Sequence, residues 1–299
     1  MIRVLALLAA VLAAAAAVQG SQAAFTATKT NAGSAFTTVA NFAPAVTLTT
    51  PAASATTNGT PTLSGAAGNS TGDSTTVTVK IYSGASTAGT LTQTLTPTRT
   101  GATWTTTASP ALASGTYTAQ ATQTDTGGAT GTSAAVTFTV DATKPTRTSV
   151  VAVNKAGGTA GKIESGDIVT FTYSEAITAA SVWSTWNGAS TTVRVRFTNS
   201  ANNDSFTVLD AASAANVKLG SVATAGNYVS ATTTFDSTMV RSADGASVIV
   251  TLGAPSSVQG TAVTAKNMTW TPVVGITDLA GNTSTTAPTW TETVSSVDF

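Results

Sequence analysis

Residues 115–140 read GTYTAQATQTDTGGATGTSAAVTFTV, and their rhythm decides the fold. From Gly115 to Thr122 (GTYTAQAT) apolar and hydroxylated side chains alternate, and from Ala135 to Val140 (AVTFTV) they alternate again. A period of two places successive side chains on opposite faces of a strand. With one face apolar and Thr on the other, such strands are half-buried and antiparallel. Gly127-Gly128 marks the turn between them.

The same pattern extends toward the N-terminus. Ala45 to Thr50 (AVTLTT) and Thr75 to Tyr82 (TTVTVKIY) alternate, with turn clusters at Asn58-Gly59, Gly72-Asp73 and Gly101-Ala102. Short alternating runs with regular turn signals are the mark of a sandwich or barrel. Trp104 and Tyr117 are the large core residues, each worth about 1.5–3 kcal/mol on burial. The stretch from Thr75, closing on GTYTAQATQTDTGGATGTSAAVTFTVDATKP, resembles the bacterial Ig-like modules of surface proteins. The family's Asp-x-Ala-Gly-Asn turn is here Asp125-Thr126-Gly127-Gly128-Ala129, so the resemblance does not bring a cation site to that turn.

After a short linker, Asp141-Ala142-Thr143-Lys144-Pro145, the pattern is β again. Asp167 to Tyr173, Thr192 to Phe197, Ser205 to Leu209 and Ser247 to Leu252 alternate or run apolar, and only Ala211 to Val217 has any helical tendency. SGDIVTFTYSEAI (165–177) and WTPVVGITDLAGNTS (270–284) resemble the first and closing strands of the Ig-like repeat of S-layer and wall proteins. WNGASTTVRVRFTN and NDSFTVLD between them resemble a module of exported actinobacterial proteins. The expected fold is all-β: two tandem Ig-like antiparallel β-sandwiches after a cleaved signal peptide and a short extended arm. The boundaries are 1–23 for the signal peptide, 24–44 for the arm, 45–141 for the first domain and 142–299 for the second.

Composition narrows the function. The chain has 299 residues, 13 basic and 13 acidic, with no His and no Cys. Thr alone supplies about a fifth of it. Lack of His excludes Ser-His-Asp hydrolysis and imidazole zinc sites, and lack of Cys excludes thiol catalysis and disulfides. A net charge of zero gives no electrostatic footprint for nucleic acid. Arg3, the apolar run Val4 to Val18 and the small residues around Ser21-Gln22-Ala23 read as a secretory signal cleaved after Ala23 or Ala24. That run falls short of the roughly 20 residues a spanning helix needs, so the mature chain is expected at the cell surface or secreted, not integral to the membrane.

The arm AFTATKTNAGSAF resembles the mature N-termini of camelysin and biofilm-fibre proteins, which an endoplasmic-reticulum-type signal peptidase processes. Phe25, Phe36 and Phe42 make it apolar enough to seek a sheet, either its own or an open edge on a neighbouring copy. The expected partners are thus a second copy or components of the wall and matrix.

Candidate chemistry is sparse. Glu164, Asp167 and Glu175 are close in sequence, but a solvated Ser-Gly turn accounts for them better than a hydrolase pair. Asp204 and Asp278 sit in loops with oxygen donors of the kind Ca²⁺ takes, although Asx turns explain both; no cofactor is expected otherwise. Trp183, Trp186 and Trp290 are the candidates for a glycan platform, although core packing accounts for them better. Arg194 and Arg196 share a strand face expected in solvent. The reading is a non-enzymatic, exported structural or adhesive surface protein, with a glycan-binding module as the alternative.

Overall fold

The computed structural model describes residues 42–256, 263–285, 288–294 and 297–299. The signal segment and most of the arm, Phe25 and Phe36 included, lie outside the described residues. Among the described residues, seventeen strands and one helical turn build two sandwiches, each around its own core.

The first sandwich holds β1 (Thr56–Thr57), β2 (Thr62–Ala66), β3 (Thr78–Ser83), β4 (Leu91–Leu95), β5 (Thr103–Thr107), β6 (Gly115–Thr124), β7 (Thr130–Thr132) and β8 (Val136–Val140). One layer runs β1-β8-β6-β3-β4, with β7 on the far end of β6; the other is β2-β5. The alternation quoted above becomes the burial pattern: Tyr117, Ala119, Ala121, Phe138 and Val140 face inward. Leu63, Val77, Val79 and Ile81 meet them with no exposed surface. Tyr117 stacks on Phe138 at 6.2 Å, and its hydroxyl donates to Ala113 O.

Ala45 to Thr50 departs from expectation. Val46 and Leu48 are buried in alternation, yet no regular strand forms. Thr47 and Thr49 donate their N–H groups to Ala66 O and Ser64 O, while Ala66 N–H donates to the Thr47 hydroxyl instead of a carbonyl. The Thr47 carbonyl packs onto Gly65, where a Cβ would collide with it, and accepts from Trp104 Nε1 at 3.1 Å. A side chain and an indole thus take over part of the ladder.

The second sandwich comprises β9 (Arg147–Val153), β10 (Ile168–Tyr173), the helical turn α1 (Ala179–Val182), β11 (Thr191–Thr198), β12 (Ser205–Asp210), β13 (Asn216–Ala223), β14 (Thr233–Arg241), β15 (Ser247–Pro255), β16 (Thr269–Thr271) and β17 (Trp290–Thr291). All pair antiparallel along one path, β17-β16-β13-β12-β11-β14-β15-β10-β9. The sheet folds over on itself. Phe171 of β10 meets Trp270 of β16 edge-on at 5.3 Å, although the two strands lie near opposite ends of the path. Tyr173 packs on the same indole at 5.6 Å. Phe299 closes the other end against Phe197, Phe206 and Tyr228. The helical turn falls at Ala179–Val182, not at Ala211 to Val217. There Asp210 accepts the N–H groups of Ser213 and, through its carboxylate, Ala214, which gives a turn leading into β13.

No helix among the described residues is long and apolar enough to cross a membrane. Trp270 is fully buried and donates to Leu219 O at 2.6 Å. Trp270→Ala is expected to cost the second sandwich about 3–5 kcal/mol, read as a lower urea midpoint.

Candidate functional site

The polar residues that converge lie where the two sandwiches meet. Ile177 bridges Asp278, and Thr178 donates both N–H and hydroxyl to Thr277 O, which fixes the start of the turn Asp278-Leu279-Ala280-Gly281-Asn282. Within the turn Asp278 N–H donates to Asn282 O, and Asn282 N–H donates to Asp278 Oδ1 at 2.7 Å. Gly281 takes φ of 94°, a left-handed conformation that favours glycine. Asn282 Nδ2 then donates to Asp278 Oδ2 at 2.8 Å and to Asp141 O at 2.7 Å. Asp141 in turn donates its N–H to Thr57 O of β1.

Three carboxylates gather at this joint. Asp141, Glu175 and Asp278 each bring an oxygen within 4.8 Å of the other two. Asp278 is buried, whereas Asp141 and Glu175 are half-buried. Glu175 Oε1 has no hydrogen-bond partner. Its carboxyl is held above the ordinary glutamate value, first by desolvation and then by the charges of Asp278 and Asp141. Chemically the trio offers hard oxygen donors; Ca²⁺ takes six to eight such ligands, so these residues would be part of a shell.

The other sequence candidates are placed differently. Asp204 stands apart from the trio and is fully buried, its oxygens accepting from Ser200 N–H and Val229 N–H at 2.8 Å. Asp167, expected in a solvated turn, is also fully buried. It accepts from Lys155 N–H and Glu164 N–H, while desolvation, its largest influence, holds its pKa above the ordinary aspartate value. Glu164 accepts from Thr159 N–H. Asp167 and Asp204 are therefore staples for loop backbone, and burial is the physical reason the solvated reading of Asp167 fails.

Among the tryptophans, Trp186 is 4% exposed and donates Nε1 to Ala189 O, so it offers no open ring face. Trp183 and Trp290 pack against the same core, partly buried. Phe42 is 79% exposed. Arg194 pairs with Asp236 at 2.9 Å across β11 and β14, on the solvent side as expected. Two open grooves, of about 460 Å³ beside β13 and about 600 Å³ over β2 and β5, gather no carboxylate.

Sequence reasoning singled out Asp278 and its turn, weighed Glu175 only beside Glu164 and Asp167, and missed both Asp141 and the meeting of the three. Asp141 looked like linker, and Glu175 looked like the end of a strand. The usable signal was chemical: two further acids flanking a junction in a chain so poor in charge.

Residues 47–142 match the family model described as a bacterial Ig-like domain. The first sandwich carries the family match, and the second antiparallel sandwich follows outside the matched residues. No curated protein matches it in sequence. Fibronectin(III)-like modules of CbhA from Clostridium thermocellum are similar at 16% identity, over 72% of this chain and 92% of that one, with a TM-score of 0.27. A tetra-tandem repeat from the extending region of a large adhesion protein is similar at 16% identity and a TM-score of 0.26. That likeness covers 86% of this chain and 64% of the other.

Two outcomes are expected. A carboxyl raised in the folded state contributes stability that is present below its unfolded value and lost as pH rises through the folded one. Glu175→Gln is therefore expected to raise the melting temperature at about pH 7 and to flatten its fall from about pH 4, measured by thermal unfolding. Asp204→Ala strands two N–H groups and is expected to cost about 1–3 kcal/mol for each, measured in urea.

Proposed function

We propose that the chain is a non-enzymatic, exported structural or adhesive protein of the cell surface or extracellular matrix. The observation that carries this reading is a bacterial Ig-like match over residues 47–142, followed at once by a second antiparallel sandwich. Its task is mechanical: the sandwiches set a spacing and present loops, and the buried Asp167, Asp204 and Asp278 hold loop backbone. Export rests on the N-terminal segment, read as a cleaved signal.

Self-association goes through the arm. Phe42 projects into solvent at the start of the first sandwich, and Phe25 and Phe36 precede it in a stretch with few charges. Strand addition to a neighbouring sheet edge would cover these rings, with main-chain hydrogen bonds giving affinity and alternate side chains giving register. The scarcity of charge leaves edges poorly guarded against such pairing.

Sedimentation velocity of the mature secreted chain beside a chain starting at Ala45 tests the reading. Large species from the mature chain alone are the expected result. Monomers from both would remove the arm from assembly, and retention of neither chain on cell-wall material would remove the adhesive role.

A further inference from the structure

We propose that Asn282 locks the two sandwiches into one rigid body, so that the tandem behaves as a stiff strut. The argument starts from what the Asn282 side chain is free to do. The turn at Asp125-Thr126-Gly127-Gly128-Ala129 in the first sandwich has the same backbone: Asp125 N–H donates to Ala129 O, and Ala129 N–H donates to Asp125 Oδ1 at 2.8 Å. Gly128 there has φ of 87°, matching Gly281. With Ala129 at the last position, that turn forms without an amide side chain. The Asn282 amide is therefore not needed to make its own turn.

Its geometry gives it another task. Asp278 Oδ2 holds Nδ2 at 2.8 Å, which fixes the amide orientation before the second hydrogen reaches Asp141 O at 2.7 Å. The accepting carbonyl is anchored too, because Asp141 N–H is bonded to Thr57 O in β1. The bond thus joins the frame of one sandwich to the frame of the other, not to a loose tether.

The chain between is short and held at both ends. Thr143 N–H is taken by Asp141 Oδ1, Thr146 N–H by the Ser174 hydroxyl, and Ser174 N–H returns to Thr146 O at 2.7 Å. Lys144 Nζ adds a bond to the Thr285 hydroxyl at 3.3 Å. Gly281 rests close to Asn58, where an added Cβ would lie 3.4 Å from its Nδ2. Asn282 is a positioning residue, acting through the hydrogen bond from its side-chain amide to Asp141 O.

The absence of cysteine makes the test direct, because introduced thiols are the only ones to label. Spin labels on Thr94→Cys in the first sandwich and Ala212→Cys in the second report the distance between them by pulsed electron spin resonance. A single narrow distribution is expected for the parent, and one several-fold broader for Asn282→Ala and for Asn282→Asp. The aspartate keeps the size and removes the donor. Thermal unfolding of each variant checks that both sandwiches stay folded, which separates a lost lock from a lost fold. A broad distribution in the parent, or a width unchanged in a folded variant, overturns the proposal. Should Asn282→Ala fail to fold, Asn282→Asp and the width of the parent decide it.

Discussion

Alternating small apolar and hydroxylated side chains give each strand a single face to bury, and that face is modest in volume. In the first sandwich the inward row along β6 is Tyr117, Ala119 and Ala121, so the layers approach closely and a few large residues must set their spacing. Trp104 does this with its indole nitrogen shared between Thr47 O and Ala66 O, which ties the irregular first segment to β2. In the second sandwich Trp270 has the same part, buried against Phe171 and Tyr173 and bonded to Leu219 O. Aromatic rings with a polar handle are suited to it because the ring fills volume while the handle meets a carbonyl left over by the folding of the sheet.

Scarcity of charge shapes the polar interior in a second way. Three buried aspartates hold backbone N–H groups. Asp167 takes those of Lys155 and Glu164, Asp204 those of Ser200 and Val229, and Asp278 that of Asn282. Bonds from N–H to an ionised carboxylate are stronger than neutral ones, and they satisfy loop donors that the ladders cannot reach. Glu175 is the contrast, since one of its oxygens finds no donor and its carboxyl lies near Asp278 of its own sandwich and Asp141 across the joint.

Much of the architecture was legible because its carrier is local. Period-two alternation placed β6, β8, β10, β11, β12 and β15 close to where they occur, and Asx-turn chemistry explained the Asp278 loop from its own five residues. What stayed hidden depends on approach between segments far apart in the chain. Nothing near Asp141 or Glu175 in sequence says that they meet Asp278. Nothing in Ala45 to Thr50 says that a hydroxyl will replace a carbonyl as acceptor for Ala66. Asp167 looked solvated because a Ser-Gly turn usually is, whereas the fold closes over it and supplies donors in place of water. The three-residue spacing of Trp183 and Trp186 said little about which face either takes, and the turn between them sends Trp186 into the core.

The folded-over sheet of the second sandwich also sets an order of events. Phe171 on β10 and its neighbour Tyr173 find their main aromatic partner only at Trp270, on a strand far along the chain. Loop closure across so long a separation precedes the gain from the contact, which makes such topologies slow to form. Among the described residues, the core cluster of the first sandwich lies entirely between Val46 and Val140. A chain emerging from its N-terminus would therefore complete one sandwich while the other was still collapsing. The finished module would then offer Asp141 as a fixed landing point for the last turn to arrive.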